Sequence, residues 1–439
     1  MSNTSTQQTN AFIIDERHKY LYSRQFLRER YRDSLSFVPA VFVMLTLLLV
    51  LLVRWMDNFL LQNATSGSWV FGSTAALISV TSVISASMLT FVAVVFSVTL
   101  VALQLASQQF SPRVMSTVLR NSTIKFSLGI FVAAFVFSLI ILSQAVRREE
   151  DIVPLTSLAV SMVLVFISLI MLFIFAKTLV NMIRVAYIIH IVAEETHDSI
   201  AETLPLADAY GACELVDLGQ PQQVITYTAP PGSRLVLREP QGVLIAVNEA
   251  YLVDLAQRHN CMVQILPRTG EYIVRDIAVA EVYGAHALDA QDILSAFAVG
   301  PERSLFQDPA FGLRELVDIS VLALSPGSSV PTTATQAIYR LTGLLLDIAK
   351  RPFPTGYYIN HTGTIRLMRP VTSWDDYLDL AFTEIIEFSK LSSQARIQLD
   401  QAFALLIAQL PAELHPPIQE QKVRLQKIGV AIFEGNINE

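Results

Sequence analysis

The densest group of residues able to do chemistry in this chain is Glu302, Arg303, Gln307, Asp308, Arg314, Glu315 and Asp318. Two guanidiniums with carboxylates to orient them can hold an anion, because Arg forks onto carboxylate or phosphate oxygens through paired N–H donors. Ser325 opens a hydroxyl-rich loop reaching Thr333, whose backbone N–H groups could face the same ligand. A structural account competes with this one. Asp308-Pro309 is a helix start, with Asp as N-cap and Pro at the first helical position. Arg314 and Asp318 stand four apart, the spacing of a helical ion pair. The candidate ligand-binding residues are Arg303, Gln307, Asp308, Arg314, Asp318 and Ser325.

Enzyme motifs are missing. There is no P-loop, no G-x-G-x-x-G, no H-E-x-x-H, no G-x-S-x-G and no EF-hand loop. His190 and His197 are seven apart on one expected helix face, without the further ligands that a metal site requires. The expectation is a protein that is not an enzyme and holds neither metal nor cofactor. Residues 185–439 carry 17 Lys/Arg against 30 Asp/Glu, net −13, which argues against nucleic acid as a partner. Cys213 and Cys261 fit free thiols in a reducing compartment better than a disulfide framework.

A second set of residues points to a pore. No Asp, Glu, Lys or Arg occurs from Asn58 to Pro112, a run of 55 residues rich in Ser, Thr, Ala and Gln. An unpaired ion in lipid costs several kcal/mol, whereas small and hydroxyl residues suit close helix contacts and watery cavities. Thr90, Ser97, Gln104 and Ser111 are seven apart, with Ala86, Ala93, Ser107 and Gln108 beside them and Ser79, Ser82 and Ser85 upstream. The candidate pore-lining residues are Ser82, Thr90, Ala93, Ser97, Gln104, Gln108 and Ser111. Tight packing of this face inside a four-helix monomer is the alternative.

These residues sit in a chain of two characters. Of its 439 residues 52% are hydrophobic and only 16% charged, below the ~25% of soluble domains. Residues 1–184 hold 14 Lys/Arg and 8 Asp/Glu, net +6, against the −13 that follows. Apolar stretches predict spans at about 35–53, 70–109, 126–146 and 153–176. The second is long enough for about 60 Å of helix, so it is either one helix extending beyond the lipid or two short spans. Read as one span, it leaves eleven Lys/Arg on one side and Arg54, Arg147 and Arg148 on the other. That asymmetry predicts four spans with both termini cytoplasmic. Residues 1–34 are polar, and no cleavable signal peptide is visible. Basic and aromatic residues mix over Asp15–Asp33, which suits an amphipathic interfacial helix or a solvated one.

Residues 185–222 read as a helical extension and linker, continuing the fourth span without a breaker. Residues 223–287 read as a small α+β module, with Asn248 capping a helix and a tight turn at Pro267–Gly270. Residues 288–439 read as mainly helical, with a capping box at Ser373 and Asp376. The expected fold is an α-helical integral membrane domain of four transmembrane helices, then a cytoplasmic α+β domain with a helical C-terminal part.

The stretches VVFSVTLVALQLASQQFSPRV (94–114), LGIFVAAFVFSLIIL (128–142), VGPERSLFQDPAFGLRELVDISVLALSPG (299–327) and WDDYLDLAFTEI (374–385) carry a resemblance. Through them the chain resembles the bacterial predicted membrane proteins catalogued as domain of unknown function 2254. The resemblance implies an N-terminal multi-span region, a cytoplasmic C-terminal region and the bacterial inner membrane. It implies no activity, cofactor or catalytic residue. Members usually have Arg where Leu322 stands and Asn-Asp where Ser329-Val330 stand, so a family site built on those groups is altered or lost here. The functional expectation is an oligomeric channel, its second span lining a weakly selective, cation-favouring pore gated through the cytoplasmic domain. Its partners would be the bilayer, further copies of the chain and ions. The alternative is a membrane-anchored sensor or scaffold.

Overall fold

The computed structural model describes residues 37–63, 74–109, 121–147, 155–182, 184–204, 233–236, 241–284, 289–327, 330–359 and 364–437. The expected N-terminal segment, Ser111 and residues 205–222 of the linker lie outside these. The described residues divide into two compact units, 37–188 and 189–437.

The first unit contains α1 (Phe37–Asn63), α2 (Thr74–Gln109), α3 (Ser122–Arg147) and α4 (Leu155–Met182). Each holds a stretch long and apolar enough to cross a membrane, of 21, 27, 25 and 27 residues. Helices are the form such segments take, because hydrocarbon offers the backbone no other hydrogen-bond partner. The segment expected at 70–109 is one helix of 36 residues, about 54 Å long at 1.5 Å per residue. Asn121 starts α3 by accepting the Thr123 N–H at 2.9 Å.

α3 is the hub of this unit, packing on α1, α2 and α4. Of its apolar stretch 44% is buried, against 17%, 11% and 17% for α1, α2 and α4. The residue types on α3 explain this. Ala133, Ala134 and Ser138 are buried, and a Cβ on Gly129 would lie 2.6 Å from the Phe42 ring of α1. Small side chains let the backbones approach closely, which is how helices gain dispersion contact in lipid. Hydroxyls fold back onto their own helices, Ser127 onto Thr123 O at 2.7 Å and Ser138 onto Ala134 O at 2.8 Å.

After a break comes α5 (Val185–Thr203), most of which belongs to the second unit. Arg184 N–H reaches back to Asn181 O at 3.0 Å, so the uninterrupted helix expected past Thr178 is two helices. Next come β1 (Ser233–Val236), β2 (Gly242–Val247), α6 (Glu249–Arg258), β3 (Met262–Ile265), β4 (Tyr272–Ile273) and β5 (Ala278–Tyr283). After them run α7 (Ala290–Leu294), β6 (Phe297–Gly300), α8 (Pro309–Leu324), α9 (Pro331–Ala349), β7 (Tyr357–Ile359) and β8 (Ile365–Met368). The chain closes with α10 (Trp374–Phe388), α11 (Ser393–Gln409) and α12 (His415–Ile437).

One sheet has the order β1-β5-β3-β8-β7 and the other β4-β2-β6. Strand β3 pairs parallel with β8 through Val263↔Leu367 and Gln264↔Met368. Three strands, β6 to β8, therefore come from the part expected to be mainly helical, and the boundary at 287/288 does not separate two folding units. These strands have only three or four residues each, too few to establish a period of two in sequence. Leu244, Leu252, Val263, Ile265, Val282, Ile293 and Leu367 form the core between α6 and the strands. The helical layer packs α8 on α9 and α10, then α9 on α11, with α12 across α10 and α11. Phe382 and Phe403 meet edge to face in it at 4.9 Å.

Candidate functional site

The polar stripe of α2 is a matter of helical bookkeeping. Seven residues fall ~20° short of two turns, so residues at that spacing keep one face. Thr81, Ile84, Ser85, Met88 and Val95 are buried, and they mark the side turned to the other helices. Thr90, Ala93, Ser97 and Gln104 are exposed. Projected at 3.6 residues per turn, they lie on the opposite side. Leu89, Phe96 and Leu100 flank the stripe on one side and Val83, Val94 and Val101 on the other, all exposed. Within this unit the stripe is not packing against α1, α3 or α4.

The upstream serines do not stay together, because a three-residue step rotates the face by ~60°. Ser79 is exposed, Ser82 half-buried and Ser85 buried. Ser82 Oγ donates to Ile78 O at 2.6 Å and Thr90 Oγ1 to Ala86 O at 3.0 Å. Gln108 belongs to α2, but its side chain, like the whole of Ser111, falls outside the described residues.

The second candidate group gathers at the start of α8. Asp308 caps it, accepting Phe311 N–H at 3.2 Å. Arg303 closes onto the same carboxylate, Nε to Oδ2 at 2.9 Å and Nη2 to Oδ2 at 2.8 Å. The guanidinium also lies over the Phe311 ring, 5.3 Å from its centroid. Burial pushes the Asp308 carboxyl up, and Arg303 and the Phe311 N–H pull the other way. The neighbouring Tyr377 hydroxyl is raised by burial and by Asp308. Gly270 has φ +87°, and a Cβ there would lie 2.5 Å from Asp308 Oδ2. Only glycine fits that close, left-handed position.

Gln307 has φ +55° and aims its amide at strand β2. Its Oε1 accepts Val247 N–H at 3.0 Å, and its Nε2 donates to Val247 O at 3.1 Å. Arg314 faces α10, where Nη2 donates to Glu384 Oε2 at 2.8 Å, while Nε pairs with Asp318 at 2.8 Å. Its guanidinium is held more firmly protonated, first by the bond to Glu384. Ser325 ends α8 with its hydroxyl on Val321 O at 2.8 Å.

The structure thus brings Arg303 and Asp308 together, and Arg314 and Asp318 together. Each guanidinium is engaged by carboxylates of the protein itself. Local spacing does not reveal Glu384 as a partner, because 70 residues separate it from Arg314. The turn at Pro267–Gly270 was visible, but not its reach. Arg268 Nη1 donates to Asp376 Oδ2 at 2.9 Å, and Arg369 Nη2 donates to Thr269 Oγ1 at 2.5 Å. Arg369 also pairs with Glu249. Among the described residues no group of three or more His, Cys, Asp or Glu is placed to hold a metal ion. Burial pushes the Cys261 thiol up against the pull of Arg366, opposite to what a thiolate nucleophile needs.

Four apolar helices followed by a unit of sheets and helices define a membrane protein with four candidate spans. The chain belongs to the family described as "Predicted membrane protein (DUF2254)", which it matches over residues 32–404. It is similar to an uncharacterized protein of Mycobacterium bovis and to one of Mycobacterium tuberculosis, each 29% identical over 335 residues. A second Mycobacterium tuberculosis strain has one 28% identical. The matches cover 73% of this chain and 62% of each relative, so the chain spans less than two thirds of their length. No solved structure matches the chain.

Proposed function

We propose that the chain assembles into a ring of copies in the bacterial inner membrane, with α2 lining a weakly selective, cation-favouring pore. What supports this is the direction of the stripe. Thr90, Ala93, Ser97 and Gln104 face away from the other three helices, and an exposed amide in hydrocarbon needs protein or water beside it. A ring supplies both, because the stripe meets a central water column while the apolar flanks meet neighbouring copies. With both termini cytoplasmic, the −13 of residues 185–439 repeats around the axis and concentrates cations at the inner mouth. A lining without charge gives modest selectivity, and the C-terminal units act as the gate.

The test is the mass of the detergent-solubilised particle with the detergent contribution subtracted, followed by ion flux in liposomes. Several copies per particle, and a Gln104→Lys variant that lowers cation flux severalfold, are the expected results. A monomer without flux would return the chain to the anchored-sensor reading.

A further inference from the structure

Asp57 is the one carboxylate within the four candidate spans. It lies at the end of the first span and is 4% exposed. A carboxylate at this depth calls for a structural reason, because ions are costly in lipid. α4 supplies one. Ser157 Oγ donates to Asp57 Oδ2 at 2.5 Å, and Ser157 is the third residue of α4 and also buried. The first turn of a helix carries N–H groups without intrahelical acceptors and the positive end of the helix dipole. A carboxylate held there by a hydroxyl of that turn is stabilised by the dipole. Ser161 Oγ, one turn on, donates to Ser157 O at 2.9 Å and keeps that turn closed.

We propose that Asp57 and Ser157 form a charge-operated latch that holds the first turn of α4 against α1. The latch lies at the end of α4 remote from α5, so its release frees that end first. Among the described residues, these helices carry few other ionisable groups at this end. Arg54 on α1 is exposed, Arg147 is the last residue of α3, and α4 has none before Lys177. The contact is not a pairing of two α1 side chains but a tie between helices 100 residues apart.

The experiment is hydrogen exchange of the full chain in detergent, followed over residues 155–160, for Asp57→Asn, Ser157→Ala and the double variant. Asp57→Asn keeps the shape and an acceptor but removes the charge. Ser157→Ala removes one hydroxyl from a helix that tolerates Ala, so it folds even if Asp57 variants do not. Each single variant is expected to speed exchange in this turn about tenfold, and the double variant no more than the larger of the two single effects, because both act on one contact. Exchange at the C-terminal end of α4 stays as in the parent. Unchanged exchange in Ser157→Ala, or multiplied effects in the double variant, would overturn the latch. The particle's mass and flux do not enter this measurement, so the latch stands or falls separately from the pore.

Discussion

α2 and α3 are built from the same kinds of residue and used in opposite ways. Both are long, apolar and rich in Ala and Ser. In α3 the small residues are turned inward, and Gly129, Ala133 and Ala134 are what let α1, α2 and α4 close around it. In α2 the inward side carries Ile84, Met88 and Val95 beside Thr81 and Ser85, while the small residues of the stripe, Thr90, Ala93 and Ser97, point out. A small-residue face is thus a device for close approach in one helix and surplus to the bundle in its neighbour. Composition does not distinguish the two, whereas the position of the large side chains relative to the stripe does. When the large residues pack and the small ones are left over, the small face is free for something outside the monomer.

The contrast breaks most readily at its tightest contact. Gly129→Leu drives a branched side chain into Phe42 and is expected to cost ~3 kcal/mol or more, read as loss of folded protein in detergent denaturation. The C-terminal unit offers the analogous test of a buried polar contact. Asp308→Ala removes the cap of α8 and leaves Arg303 without its carboxylate, at a cost of ~2 kcal/mol in urea unfolding followed by Trp374 fluorescence. Asp376 makes a more exposed pair and a smaller effect. Burial raises its carboxyl, but the Ser373 bonds and Arg268 outweigh this and leave it lowered. Its contribution is then complete at neutral pH and lost as the pH falls through its folded value. Asp376→Asn should cost under ~1 kcal/mol and flatten the acid side of the stability profile.

The smallest effects belong to α2. Thr90→Val and Ser97→Ala are expected to change the stability of the bundle by no more than ~0.5 kcal/mol. A loss as large as that of Gly129→Leu would mean that the stripe packs within the monomer after all. A shift of the particle mass with unchanged fold would sharpen the contrast instead.

Much of this was written into the sequence locally. Charge-free apolar stretches located all four long helices. Asp308-Pro309 marked the start of α8, Ser373 and Asp376 formed the expected capping box, and Asn248 accepts Tyr251 N–H at 3.1 Å as a cap. Each of these signals acts within four residues. What stayed hidden depends on distant partners. Heptad spacing showed that α2 has a polar face, but only the packed bundle shows which way it points. The anion-site reading of Arg303 and Arg314 was compatible with their spacing, yet Glu384 and Gly270 come from other elements. Strands β6 to β8 are too short to declare themselves, and β8 is recognisable only beside β3.

That last pairing has a consequence for how the protein is made. Val263 in β3 and its partner Leu367 in β8 lie about a hundred residues apart, with strands β4 to β7 and helices α7 to α9 synthesised between them. While the ribosome is still producing α8 and α9, β3 has β5 on one side and an open edge on the other. An apolar strand with an open edge invites wrong pairing. The nascent chain stays in that condition until β8 emerges, so stalled or truncated translation products ending before residue 365 would be the species most prone to aggregate.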